Sequence, residues 1–558
     1  MNHFSRYAQY SFFALMRSSQ FSETVSLSKK LIKSGFIVSF MTLISRVLGL
    51  VRDSVIAYIM GASAAADVFL FANKIPNFLR RLFAEGAFAQ AFVPVLSEAE
   101  ALDEKEGLDK VHTKKLIAQV SGTLGTIVTI VTLVGVIASP VIVAIFGFGW
   151  FLDWLNGGPH ADKFELANSL LKITFPYLWF VSFVALAGSV LNTLGKFGAS
   201  AFTPVLLNVA VISCAIFLSP YFEEPAYALA WGVFLGGVLQ LLFQIPFLYR
   251  AGVLVKPKWA WNEPGVVKIR KLIVPALFGV SVTQINLLLD TVIASFLVTG
   301  SISWLYYADR LLEFPLGLFG IGIATVILPS LSGLAARKNA QEFSDTLDWG
   351  IRVICLFGLP ALAGLMVMAQ PIIMVLFMRG EFTEYDVMQV SMALFAYLSG
   401  LLSFMFIKIL APGYYSRQDT KTPVKIGVIA MVANMAFNLA LAPFYGYVGL
   451  ALATTLSATL NAYLLYRGLK TQGVYQLSST SVALMLKMVV SAVTMGAVVY
   501  ALSPSFEQWL VLSFVDRIGQ LTFYIGVGVL CYFAMIIVLG IRVSHFKVTS
   551  NVQLANDN

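Results

Sequence analysis

The chain has 558 residues, 58% of them hydrophobic and only 12% charged. Ordinary soluble domains carry about 25% charged residues, so this composition excludes that class and points to a polytopic membrane protein. A net charge of +9 would suit a nucleic-acid partner in a soluble chain, but in a membrane protein it reports basic cytoplasmic loops.

Residues 1–30 read as a cytoplasmic N-terminal extension. Its "SFFAL" is too short for the apolar core of a signal peptide, and no small-residue cleavage site follows. A membrane-spanning helix needs about 20 mostly apolar residues. Fourteen segments qualify: 34–60, 64–97, 116–147, 165–194, 200–220, 225–249, 272–298, 302–335, 347–377, 385–412, 422–443, 446–467, 481–502 and 518–541. The expected fold class is therefore an all-α polytopic membrane protein. The three cysteines, Cys214, Cys355 and Cys531, lie far apart in apolar stretches with no CxxC. They read as small core residues rather than as a disulfide framework or a zinc site.

The loops between segments alternate in charge. One set includes "EAEALDEKEGLDKVHTKK", "RAGVLVKPKWAWNEPGVVKIRK", "SRQDTKTP" and the tail "IRVSHFK". The other includes "FGFGWFLDWLNGGPHADKFE", "SPYFEEP", "MRGEFTEYD" and "SPSFEQWLVLSFVDR", with only Lys163, Arg379 and Arg517 as basic residues. Basic loops stay inside, so the first set and both termini are expected in the cytoplasm. The basic excess is then topology, and nucleic acid drops out as a partner.

The chain also repeats. "RDSVIAYIM" at Arg52 resembles "LDTVIASFL" at Leu289, and the distances from Asp53 to Pro94 and from Asp290 to Pro329 are 41 and 39 residues. "LNTLGKFGASAFTP" aligns without gaps on "LAPGYYSRQDTKTP". This predicts six-span lobes at 31–250 and 272–470, a cytoplasmic linker at 251–271, two added spans within 481–541 and a cytoplasmic tail at 542–558. Even-numbered halves share one orientation, and transporters place substrate at such an interface.

Charges inside the spans are expensive unless they face a wet cavity or one another. Span one carries Arg46, Arg52 and Asp53; span two carries Asp67, Lys74, Arg80, Arg81 and Glu85; span eight carries Asp309, Arg310 and Glu313. Asp67, Lys74, Arg81 and Glu85 fall within about 40° of one another around a helix. Glu313 follows Asp309 and Arg310 at pairing distance. Cations outnumber acids on the first two spans. The arginine surplus asks for an anion, and guanidinium forks suit a phosphate ester. Arg46, Arg52, Arg80, Arg81 and Arg310 are the expected substrate-binding residues, with Asp53, Asp67, Lys74, Glu85, Asp309 and Glu313 as a supporting charge network.

"SRVLGLVRD", "NKIPNFLRRLFAEGAFAQAFVP", "SISWLYYADRLLEFP" and "LAPGYYSRQDTKTPVKI" closely resemble signatures of the bacterial lipid II flippase family, MurJ or MviN. That family belongs to the multidrug/oligosaccharidyl-lipid/polysaccharide exporter superfamily. The resemblance runs from about residue 30 to the last span. It implies a bacterial inner-membrane flippase that moves lipid II, an undecaprenyl-diphosphate-linked peptidoglycan precursor, to the periplasmic leaflet by alternating access. A central cationic cavity would bind the diphosphate, the last two spans would line a groove for the lipid tail, and cell-wall synthesis proteins would be partners. The family's essential arginines carry over onto Arg46, Arg52, Arg81 and Arg310, with Arg80 adjacent, and Asp67 and Glu85 match positions important in it. No organic cofactor is implied. The coupling cation would be sodium or a proton. Where some members hold sodium, this chain has Asp290, Asn434, Asn438 and Thr454. It departs from the pattern in carrying Asn438 where a second carboxylate is expected, so a hydrogen-bonded packing cluster stands as the alternative.

A flippase for another polyprenyl-linked glycan, or a drug exporter of the same superfamily, is the nearest rival, although a drug-cation exporter should line its cavity with acids and aromatics. An enzyme acting on polyprenyl phosphates would want a metal-binding acidic cluster or a catalytic histidine. His3, His112, His160 and His545 all lie outside the spans. A non-transporting scaffold for wall synthesis is the third class.

Overall fold

The computed structural model describes residues 38–81 and 88–546 and, within that range, all side chains but those of 274–285 and 321. The extension at 1–30, Glu85 and the end of the tail lie outside the described residues. All regular structure among the described residues is helical.

The first half contains α1 (38–60), α2 (Ala64–Arg80), α3 (Phe88–Glu106), α4 (Val111–Ile137), α5 (Ser139–Phe146), α6 (Phe148–Asn156), α7 (Ala161–Thr174), α8 (Tyr177–Thr193), α9 (Phe197–Phe217) and α10 (Pro225–Arg250). The second half contains α11 (Pro264–Ala294), α12 (Ser301–Pro315), α13 (Gly322–Ala336), α14 (Ala340–Phe377), α15 (Glu384–Leu398), α16 (Leu401–Leu410), α17 (Pro412–Tyr415) and α18 (Lys421–Thr471). Then come α19 (Ser479–Leu502), the short α20 (Phe506–Val511) and α21 (Phe514–Val538). Among the described residues, nine helical stretches are long and apolar enough to cross a membrane, or up to eleven if each of two bent pairs is one span. The chain is thus a multi-pass membrane protein. Many large apolar side chains on α21, including Phe523, Leu530, Ile537 and Val538, are exposed, as lipid-facing residues should be.

One boundary differs from the sequence expectation and another matches it. The third segment does not run on to residue 147: α4 stops at Ile137, and α5 and α6 form a separate pair bent by 105°. Pro140 starts α5 and lacks the amide needed to continue α4. The eleventh and twelfth segments are two helices within α18, separated at Gly446 with φ 56° and ψ −134°, at the boundary the sequence places between 443 and 446. That conformation suits glycine and not an L side chain. A π-helical turn, Leu316–Ile321, likewise joins α12 to α13.

Buried apolar residues fall into three clusters. One lies in α12–α21, another centres on α1, α2, α7, α8 and α10, and a third joins α3, α4 and α8 to the 251–269 linker region. α19 and α21 pack on α14 and on each other. Asp348 of α14 holds the start of α19, accepting from Ser478 Oγ at 2.8 Å and Ser481 Oγ at 2.5 Å.

Contacts form within each loop set. In the basic set, Lys268 pairs with Glu98 and the Lys258 amide donates to the Ala118 carbonyl at 2.7 Å. In the other set, the Glu381 amide donates to the Tyr58 carbonyl at 3.0 Å, and the Gly149 amide to Ser295 Oγ at 2.9 Å.

The start of α4 is capped from α3. The amides of His112 and Thr113 donate to the Asp103 carboxylate at 2.8 and 2.9 Å. Burial acts to raise this carboxyl, but the two amides outweigh it and hold it below its ordinary value of 3.8. A depressed acid stabilises the fold above its unfolded pKa, and that contribution fades as pH falls through the folded value. Asp103→Ala should cost about 1 kcal/mol, within the range for a lost helix cap. The melting difference from the parent should be full at neutral pH and shrink only below about pH 4.

Candidate functional site

α1 and α12 meet at a buried carboxylate. Asp53 accepts from Arg52 on its own helix, Nε at 3.0 Å and Nη2 at 2.7 Å. From α12 it accepts Tyr306 Oη at 2.8 Å and Arg310 Nε at 2.5 Å. The Asp53 side chain is fully buried, while those of Arg52 and Arg310 are 17% and 31% exposed. One acid therefore serves two guanidiniums from opposite halves of the chain. Arg52 also donates to Asn208 Oδ1 at 3.1 Å, and Asn208 Nδ2 anchors to the Ser45 carbonyl. Arg310 reaches Glu313 at 3.2 Å, the local pair expected from spacing, whereas Asp309 is not bonded to it. Tyr306 and Asn208 were missed in the sequence. Tyr306 sits four residues before Arg310 on the same helix face, which was the available signal.

The remaining cations lie around this centre. Arg46 rests against Gly317 in the π-helical turn, where an added Cβ would meet its guanidinium. Arg80 donates to Asn77 at 3.1 Å. Arg81 is exposed and makes no ion pair among the described residues. Glu85, read as part of the same stripe, falls outside them.

Asp67 belongs elsewhere. Although it shares a helix face with Lys74 and Arg81, it is buried at the opposite end of α2 and caps α12. It accepts from the Gly300 amide at 2.7 Å, the Ser303 amide at 2.9 Å and Ser303 Oγ at 2.7 Å. Gly300 has φ +95°, a conformation favouring glycine that aims its amide at Asp67. Lys163, which the loop pattern treats as a surface charge, is buried 3.6 Å from Asp67 and 5.5 Å from the Trp150 ring centre. Asp67 is thus a second tie between the halves, distinct from the arginine cluster.

The residues considered for sodium come together as an amide cluster. Asn438 Nδ2 donates to Asp290 Oδ1 at 2.6 Å. In the orientation of Asn434 that satisfies its neighbours, its nitrogen also faces Asp290 Oδ1, at 3.2 Å, and its oxygen accepts from the Thr454 amide. The Thr454 hydroxyl donates to the Leu450 carbonyl. The charge acting on Asp290 is that of Lys74 in the other half. Asp290 Oδ1 is occupied by amide donors, while Asn438 Oδ1 is buried without a hydrogen-bond partner among the described residues, so the cluster offers an oxygen to a hard cation as well as a packing network. No group of three or more His, Cys, Asp or Glu suited to a metal occurs among the described residues.

Two outcomes follow. Asp53→Asn should lower stability by roughly 2 kcal/mol, less than the 3–5 of a fully buried pair because Arg310 is partly solvated. A double-mutant cycle of Asp53→Asn with Arg310→Gln, read by thermal unfolding, should show coupling of about 1–3 kcal/mol. At the amide cluster, a sodium-specific rise in melting over potassium chloride at equal ionic strength, abolished by Asp290→Asn, would place a cation there. Identical melting in the two salts would leave a packing network.

Comparison with known proteins fits this architecture. The family model described as lipid II flippase MurJ matches residues 56–519. A probable lipid II flippase of Vibrio cholerae is 62% identical over 524 residues, covering 94% of this chain and 99% of the relative. Among solved structures, a lipid II flippase in an inward closed conformation aligns with TM-score 0.73 and 28% identity, covering 90% of this chain and 98% of that one. An inward-facing multidrug transporter of the exporter superfamily shares the fold at TM-score 0.63 and 14% identity, covering 78% and 97%. The chain belongs to the lipid II flippase family, MurJ.

Proposed function

We propose that the protein carries lipid II from the cytoplasmic to the periplasmic leaflet of the bacterial inner membrane by alternating access. The membrane would be crossed fourteen times, by two six-helix lobes and the α19–α21 pair, with both termini in the cytoplasm. The observation that carries this reading is the sharing of one acid between two arginines at the join of the halves: Arg52 and Arg310 share Asp53, and Arg81 makes no ion pair among the described residues. A diphosphate offers these guanidiniums what a single carboxylate cannot, several oxygens in bidentate geometry. The undecaprenyl tail stays in hydrocarbon, which α19 and α21 flank.

The same geometry suggests how substrate and conformation are linked. Asp53–Arg310 and Asp67–Gly300 both tie one half to the other. An arriving diphosphate competes with Asp53 for Arg52 and Arg310. It therefore weakens the tie while supplying a replacement partner, a differential contact of the kind that shifts a two-state equilibrium. An inside-negative potential favours outward movement of an anion by about 2.3 kcal/mol per charge per 100 mV. The membrane potential supplies the drive in this reading, and a cation, sodium or a proton, at the Asp290 cluster would reset the empty carrier. The reading of the protein as a transporter rather than an enzyme rests on the family and on these contacts.

Arg52→Ala, Arg81→Ala and Arg310→Ala, each as the only copy and expressed at parental level, should fail to support growth and should lower lipid II exposure at the cell surface. Each removes a charge-assisted contact worth about 1.5–3 kcal/mol. Lys at the same positions should restore part of the activity, since charge returns without the fork. Normal growth of all three Ala variants would rule the cluster out as the substrate site. For orientation, single cysteines replacing Glu223 and Glu381 should react with an impermeant thiol reagent in intact cells, and those replacing Lys256 and Arg417 should not.

A further inference from the structure

On the far side of α1 from Asp53 lies a cleft of about 350 Å³, lined by Leu50, Val51, Ser54, Val55 and Tyr58 together with Leu376 and Arg379. At 100° per residue, the centre of this lining lies roughly 180° from the Arg52–Asp53 edge. Val51 and Tyr58 are 43% and 56% exposed. The cleft therefore faces lipid and is separate from the arginine cluster.

Of the three basic residues in the otherwise neutral or acidic loop set, Arg379 lines this cleft and Arg517 lies one helical turn from Phe514, the ring that Arg379 covers. Arg379 follows the end of α14, and Arg517 lies in the first turn of α21. The Arg379 guanidinium sits 4.2 Å from the Phe514 ring centre and donates through Nη2 to the Val375 carbonyl at 2.7 Å. Arg517 donates through Nε to the Trp509 carbonyl at 3.0 Å and through Nη2 to the Leu510 carbonyl at 2.7 Å. Burial and the nearby Arg517 charge hold Arg379 below its ordinary pKa. Each guanidinium is thus anchored on carbonyls at a helix end, Arg379 on α14 and Arg517 on α20. Nε and Nη1 of Arg379, and Nη1 of Arg517, have no acceptor among the described residues. Neither arginine makes an ion pair among the described residues, and the neighbouring Asp516 accepts from Ser513 Oγ at 2.6 Å.

We propose that this cleft is a release site where the polyprenyl diphosphate of translocated lipid II pauses in the outer leaflet, its phosphates on Arg379 and Arg517 and the start of its chain against α1. The inference rests on the lipid II reading and on the orientation given above. Two neighbouring guanidiniums match two linked phosphates, whereas a phospholipid with one phosphate leaves a guanidinium unmatched. The aliphatic wall of α1 and Leu376 suits a prenyl chain already in hydrocarbon.

The test is native mass spectrometry of the purified full chain titrated with lipid II, with phosphatidylglycerol as the single-phosphate competitor. The parent should bind two lipid II molecules. The double variant Arg379→Gln/Arg517→Gln should lose one of them, its second binding step weakened about tenfold or more, as expected for losing charge-assisted bonds. Arg379→Lys/Arg517→Lys should be intermediate, which controls for folding. Arg52→Ala/Arg310→Ala should lose the other molecule and keep the release site. Two undiminished binding steps in the Gln double variant overturn the release site, as does displacement by phosphatidylglycerol at equal concentration. Undiminished binding and transport in Arg52→Ala/Arg310→Ala would count against the cluster as the flippase site, a result separable from the fate of Arg379 and Arg517.

Discussion

A fully buried carboxylate shared by two arginines is the constraint on which this structure turns. Asp53 cannot remain charged in a low-dielectric interior without donors, and it receives them from Arg52, Tyr306 and Arg310. Two of those donors lie on α12, so satisfying Asp53 fixes the second half against the first. The arrangement is also incomplete. A carboxylate carries one negative charge, and the two guanidiniums carry two positive ones. That imbalance leaves the centre attractive to an anion.

The second tie has different chemistry and different consequences. Asp67 meets two backbone amides and a hydroxyl at the start of α12, where the unpaired N–H groups of a helix already favour negative charge. Lys163 completes the charge balance. This site is neutralised, buried and fitted to protein groups, so it reads as a clasp and not as a receptor for a mobile anion.

Much of this was legible in the sequence, and the misreadings have physical causes. Composition and segment length identified a helical membrane protein because lipid leaves the backbone few alternatives. Helical spacing correctly paired Arg310 with Glu313. Periodicity placed Asp67, Lys74 and Arg81 on one face of α2 but could not separate them by depth. Fourteen residues of helix span about 21 Å, most of the hydrocarbon thickness. Asp67 thus reaches the start of α12 while Arg81 stands at the other end. The sequence places Lys163 among the loop charges because nothing local announces that it sits in the first turn of α7, buried against Trp150 and Asp67. The Asp53–Arg310 contact joins residues 257 positions apart, a distance over which single-sequence spacing carries no information.

The charge pattern also explains why the cluster is neither fully paired nor fully bare. If every arginine had its own carboxylate, an incoming diphosphate would gain little by exchanging one anion for another. If none had, four or five guanidiniums would repel one another inside the membrane, each costing about 2.5–3.5 kcal/mol to insert. The structure lies between these limits. Asp53 is shared, Glu313 braces only Arg310, Arg46 rests against a bare glycine, and Arg81 stands exposed. An anion can then compete with one internal carboxylate rather than with a neutralising acid at every guanidinium. Because that carboxylate also joins the halves, an anion that displaced it from Arg310 would loosen the joint in the proposed cycle.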